Sequence, residues 1–119
     1  MTLYEILGEQ TIKELVNRFY ERVLKDEKIK HLFTNDIEVI KDKQFRFLCQ
    51  FLGGPQYYIE KYGHPKMRMR HLPHAISEEG KEAWLGCMKK AIDSLNLGDN
   101  LSRALYDCFP KIAQHMVNS

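Results

Sequence analysis

Apolar positions recur at helical spacing along most of the chain. From Ile12, the residues Leu15, Val16, Phe19, Tyr20, Val23 and Leu24 fall at i+3, i+4, i+7, i+8, i+11 and i+12. This is the stripe of an amphipathic helix of about four turns. Thr11 and Glu14 at its head have capping-box spacing, and residues 2–7 form a turn or two of their own, ended by Gly8. A short apolar segment, Ile29 to Phe33, leads into Thr34-Asn35-Asp36, residue types that turn a chain and cap a helix. The helix predicted from Ile37 to Leu52 carries two stripes, Ile40-Gln44-Phe47-Phe51 and Phe45-Leu48-Leu52. So much of its circumference is apolar that it must be covered on more than one side. Gly53-Gly54-Pro55 stops it.

Residues 56–64 show no stripe and read as a long loop rich in tyrosine, with Tyr57, Tyr58 and Tyr62. Ser77-Glu78-Glu79 is an N-cap followed by first-turn acids, and it opens a helix with Ala83, Trp84, Cys87, Met88, Ala91, Ile92 and Leu95 on one face. After a turn at Gly98-Asp99-Asn100, a final helix carries Leu101, Leu105, Cys108, Phe109, Ile112 and Met116. Pro110 lies inside it and predicts a kink. No segment alternates as a strand does, and no repeat is present. The pattern predicts one all-α domain spanning residues 1–119.

Composition narrows the function classes. A net charge of +2 gives no electrostatic reason to expect nucleic acid or an anionic membrane as partner. No apolar run approaches the ~20 residues of a membrane span, and Met1-Thr2-Leu3-Tyr4-Glu5 lacks the features of a signal peptide, so a cytoplasmic protein is expected. Cys49, Cys87 and Cys108 form no Cys-x-x-Cys pair and read as small buried residues of a reducing compartment. His64, His71 and His74 have no thiolate or carboxylate at ligand spacing, which argues against zinc.

The stretch Gly63 to Pro73 is bracketed by Pro65 and Pro73, so a helix within it spans about two turns at most. Taken alone, His71 in this stretch is either an ordinary loop histidine or a fixed ligand. Tyr20, Gln44 and Trp84 lie on the inward faces of three different helices. An unpaired amide at Gln44 would cost ~1–3 kcal/mol. A dry core has little reason to hold three such groups, whereas a flat apolar cofactor ligated by one histidine, with donors opposite, accounts for them.

With these residues in view, the chain resembles the truncated haemoglobins of bacteria, in particular the group II or O-type branch. The resemblance covers nearly the whole chain. It is carried by Phe19-Tyr20-Glu21-Arg22-Val23, Phe51-Leu52-Gly53-Gly54-Pro55, Gly63-His64-Pro65, Arg70-His71-Leu72-Pro73 and Ala83-Trp84-Leu85 followed by Met88. It implies the truncated globin fold, a two-over-two helical sandwich around haem b (iron protoporphyrin IX).

Under the resemblance, His71 matches the proximal iron ligand, and Tyr20 and Trp84 match the distal hydrogen-bond donors, with Gln44 at a further distal position. Phe33 matches the aromatic that packs on the haem. Ile40 stands where other globins place a distal histidine, and it leaves ligand stabilisation to Tyr20, Trp84 and Gln44. Lys43, Arg70 and Tyr58 are the candidates at the propionate rim, and Phe47, Leu48, Met67, Ile76 and Met88 complete the haem contacts.

The implied function is reversible binding of O2 and other diatomic ligands. The same donors would serve NO dioxygenation, peroxidase-type turnover, or sulfide and redox sensing. The implied partners are O2, CO, NO, peroxide or sulfide and an unidentified reductase, for a monomer or homodimer. The competing expectation is a haem-free all-α interaction module in which the inward polar groups bond one another.

Overall fold

The computed structural model describes residues 1–33, 36–63 and 77–116. His64, His71 and His74, together with Met67, Arg70 and Ile76, lie outside the described residues. So do Thr34 and Asn35. Among the described residues every regular element is helical.

Helix α1 (Leu3–Leu7) is capped by Thr2, whose hydroxyl accepts the Glu5 N–H at 3.1 Å while the Glu5 carboxylate accepts the Thr2 N–H at 2.9 Å. The capping box is therefore here and not at Thr11. Gly8, at φ 80°, both ends α1 and caps α2 (Glu9–Val23), which places Thr11 inside the first turn. The stripe of α2 is buried from Ile12 to Val23 as expected. Leu24 is the exception, because it is the C-cap, where the chain leaves the helical path, and it stays 41% exposed. A single 3-10 turn (Lys30–Leu32) follows and sets Ile29 in the core.

Asp36 caps α3 (Ile37–Phe51) by accepting the Glu38 N–H. Gly53 (φ 101°) and Gly54 then let the chain turn beneath α1, where the Tyr4 N–H donates to the Leu52 carbonyl at 3.0 Å. The segment expected as a loop contains helix α4 (Tyr57–Tyr62). A helix of six residues is too short to show a stripe, and contacts with α3 hold it. Gln50 Oε1 accepts the Ile59 N–H at 3.2 Å, and Tyr58 packs edge-on to Phe47 at 6.1 Å.

Ser77 caps α5 (Glu78–Asp93) by accepting the Gly80 N–H at 3.1 Å. The last helix is two helices rather than one kinked one, α6 (Asp99–Tyr106) and α7 (Phe109–Met116). Pro110 sits in the first turn of α7, where its missing N–H leaves no helical bond unmade, so it starts a helix instead of bending one. Helix α2 packs on α3 and crosses α5, and α5 packs on α7, which gives two layers of two helices. Their shared core holds Ile12, Leu15, Phe19, Leu48, Met88, Ile92, Leu105 and Phe109, all at most 1% exposed. Each large side chain buried in this way stabilises the fold by about 1.5–3 kcal/mol.

Candidate functional site

The site is built on the Phe19 ring. Tyr20 lies edge-on to it at 4.9 Å between centroids, and Trp84 approaches it edge-on at 5.1 Å from α5. Phe33 continues the row on the far side of Tyr20 at 5.5 Å, and Phe109 does so beyond Trp84 at 5.9 Å. Tyr20 and Trp84 are 3% and 7% exposed. Their positions follow from the helical period: Phe19 and Tyr20 flank the centre of the α2 stripe, and Trp84 shares the inward face of α5 with Cys87, Met88 and Ala91.

Among the described residues, no partner accepts a hydrogen bond from the Tyr20 hydroxyl or the Trp84 indole N–H. Burial pushes the Tyr20 phenol well above its usual range, so it keeps its proton and stays a donor. No buried side-chain nitrogen or oxygen among the described residues lacks a partner, so both polar atoms open onto space that water or a ligand can enter.

The wall beside them is one face of α3. At 3.6 residues per turn, Ile40, Gln44, Phe47 and Phe51 fall within an arc of roughly 60°. This face is half-buried, Phe51 is 43% exposed, and the Phe47 and Phe51 rings stack at 5.6 Å with 13° between planes. Leu48, one step round the helix, and Met88 on α5 are fully enclosed in the core. The expected covering of α3 on several sides is thus divided: protein covers the Leu48–Leu52 side, and the Phe47–Phe51 side stays open for a flat apolar group.

At the edge of that face Lys43 lies over the Tyr62 ring, 5.3 Å from its centroid, and Tyr58 is buried between Phe47 and Tyr62. Asp42 ties this corner together. Its Oδ2 accepts from the Tyr62 hydroxyl at 2.7 Å, Arg46 Nε at 2.9 Å and Lys61 Nζ at 3.0 Å. Burial works to raise the Asp42 carboxyl, but the three donors outweigh it and hold the group at about 2.

A half-buried aromatic face on α3 with a cation at its edge, together with a phenol and an indole set on the Phe19 ring, is a set of groups that fits a haem. The sequence of this chain matches the family model of the bacterial-like globins over residues 2–118. The chain belongs to that family. It is 44% identical to the group 2 truncated hemoglobin YjbI of Bacillus subtilis over 115 residues, covering 97% of this chain and 87% of the relative. Its structure superposes on the group II truncated hemoglobin of Bacillus anthracis with a TM-score of 0.94, at 41% identity, over 100% of this chain and 98% of that one. It also matches the truncated oxygen-avid haemoglobin of Bacillus subtilis, with a TM-score of 0.92 and 42% identity over 99% and 100% of the two chains.

The two-over-two arrangement is therefore the truncated globin fold, and the cofactor of this globin is haem b. It is a haem protein that binds small gas ligands such as O2. No helix among the described residues is long and apolar enough to cross a membrane.

Several residues of the site are not legible in the sequence. Phe19, which carries both donors, reads there as one more core position. The Asp42–Arg46 pair has visible i, i+4 spacing, but the bond from Tyr62 to Asp42 spans 20 positions and emerges only with the fold.

Proposed function

We propose that Tyr20 and Trp84 are the distal donors of this globin, with Gln44 as a third, and that His71 is the iron ligand. The observation that carries this reading is the Tyr20 phenol, its ring packed against Phe19 and Phe33, its proton retained and its oxygen open to an incoming ligand. Haem iron supplies the reversible ligation point for O2 and other diatomic molecules. The chain supplies the rest. Tyr20 offers an O–H and Trp84 an N–H to a ligand that gathers negative charge, and Ile40, which has no polar atom, adds nothing to them.

The aromatic row from Phe33 to Phe109 keeps the donors dry, so each bond acts in a low dielectric. Phe33, Ile40, Phe47, Met67 and Ile76 form the apolar contacts, Leu48 and Met88 back them from within the core rather than touching the cofactor as expected, and Lys43, Arg70 and Tyr58 meet the propionates. A charge-assisted bond of this kind is worth about 1.5–3 kcal/mol, or roughly 10- to 100-fold in ligand release. Slow release suits chemistry on the ligand, or sensing of it, better than delivery. The oxygen-avid character of the Bacillus subtilis haemoglobin is in keeping with this.

The test is the O2 dissociation rate of the reduced protein and of the Tyr20→Phe/Trp84→Phe double variant. The double variant is expected to release O2 at least tenfold faster. An unchanged rate would overturn the donor assignment, and a His71→Ala chain that still takes up haemin in five-coordinate form would overturn the ligand.

A further inference from the structure

Lys43 stands roughly a fifth of a turn from the centre of the open α3 face, at the boundary with α4. Its ammonium rests on the Tyr62 ring at 5.3 Å, and that ring is shared with Lys61, also at 5.3 Å. The two lysines differ in what neutralises them. Lys61 is paired with Asp42 at 3.0 Å and Arg46 with the same oxygen at 2.9 Å, whereas no carboxylate of the described residues lies within ion-pair distance of Lys43. Asp42 is thus fully engaged by Arg46, Lys61 and the Tyr62 hydroxyl. What it gives Lys43 is a fixed ring, because the 2.7 Å bond from Tyr62 to Asp42 sets where the ring lies.

A long lysine side chain ordinarily loses rotamer entropy when it is held in one place. Here a cation–π contact offsets part of that before any anion arrives. We propose that the Asp42–Tyr62 hydrogen bond holds the ring on which Lys43 rests and so positions Lys43 for the propionate already assigned to it. This rests on the reading that the open α3 face receives haem. Tyr62 and Asp42 are positioning residues, because they act through Lys43 and need touch no ligand.

The experiment follows the rate at which the ferric protein loses haemin to an excess of acceptor apoglobin, run in parallel with haemin and with haemin dimethyl ester, whose propionates carry no charge. Lys43→Met and Tyr62→Leu should each lose haemin about three- to tenfold faster than the unmodified chain. Tyr62→Phe, which keeps the ring and gives up only the bond to Asp42, should fall between. The Lys43→Met/Tyr62→Leu double variant should be no faster than Lys43→Met alone, since both changes remove one interaction. With the dimethyl ester, all of these chains should lose the cofactor at one rate.

Tyr62→Phe at the wild-type rate, an additive double variant, or an equal acceleration with the ester would each overturn the proposal, the last because it would mark a general structural role. An unmodified chain that retains no haemin would overturn the cofactor reading as well. Retention with unmoved variants overturns this proposal alone.

Discussion

The ring of Tyr4 closes on the backbone of Gly54 so tightly that a Cβ there would stand 2.5 Å from Tyr4 Cδ1 and 2.8 Å from the Cys49 carbonyl oxygen. One obstacle is a ring held by its own hydroxyl bond to Glu9 and the other is backbone, so neither can retreat cheaply. Gly54→Ala is expected to lower stability by about 1–3 kcal/mol. Gly86 is the control: it lies exposed in the interior of α5, where an added Cβ would meet nothing within 4 Å. Gly86→Ala should stabilise by about 0.4–1 kcal/mol, through helix propensity and the entropy of the unfolded chain. Thermal unfolding of the pair decides it, and equal shifts of one sign would refute the close approach.

The Asp42 corner should show itself in the pH dependence of stability. The carboxyl is held at about 2 in the folded chain against an ordinary 3.8. A depressed carboxyl contributes stability that is fully present above its unfolded value and is lost as pH falls through the folded one. Asp42→Asn should therefore be less stable than the unmodified chain by a constant amount above pH 3.8, with the gap closing between there and about pH 2. At the alkaline end the phenols of Tyr4, Tyr57 and Tyr62 are raised, chiefly by their bonds to Glu9, Glu9 and Asp42. Their contribution is present below pH 10.0 and is lost as pH rises beyond it. Denaturant midpoints across pH provide the check, and a gap for Asp42→Asn that persists unchanged at pH 2 would contradict it.

These two corners mark where the sequence stops being informative. The stripe of α2 and the open face of α3 follow from a 3.6-residue period, and Tyr20, Gln44 and Trp84 stand out because polar groups on apolar faces demand an explanation. Family resemblance then assigns them a cofactor. The clasp of Tyr4 and Tyr57 on a single oxygen of Glu9 joins positions up to 48 apart, and no periodicity encodes it. Helix α4 is hidden for a related reason: six residues hold too few turns to be cooperative alone, and tertiary contacts with Gln50, Phe47 and Asp42 make it. Pro110 misleads because the same residue breaks a helix interior and begins a helix, and the two cases differ only in register.

Phe19 links stability to the site. It is fully buried and carries Tyr20 and Trp84 on its edges. Phe19→Ala should cost about 3–5 kcal/mol, a large part of the stability of a domain of this size. Phe19→Leu is the more informative change. It keeps an apolar core but withdraws the flat surface against which both donors are set. It should unfold a few degrees lower and also release O2 faster, although Leu touches no ligand. A Phe19→Leu protein with wild-type release would show that the donors are held by something other than this ring.

Tyr20→Phe should separate what the hydroxyl does for the ligand from what it does for the fold. In the apoprotein the O–H makes none of the hydrogen bonds of the described residues and opens onto space that water can enter, so it adds little to the fold. Removing it leaves the ring and its contacts with Phe19 and Phe33 in place. Apoprotein carrying Tyr20→Phe should therefore stay within about 0.5 kcal/mol of the unmodified apoprotein. The same variant, loaded and reduced, should release O2 about tenfold faster. A stability that stays put beside a release rate that moves is what a donor reserved for a ligand produces. A tyrosine kept for the fold would lose stability in the apoprotein and leave release unchanged, and that outcome would return Tyr20 to the core.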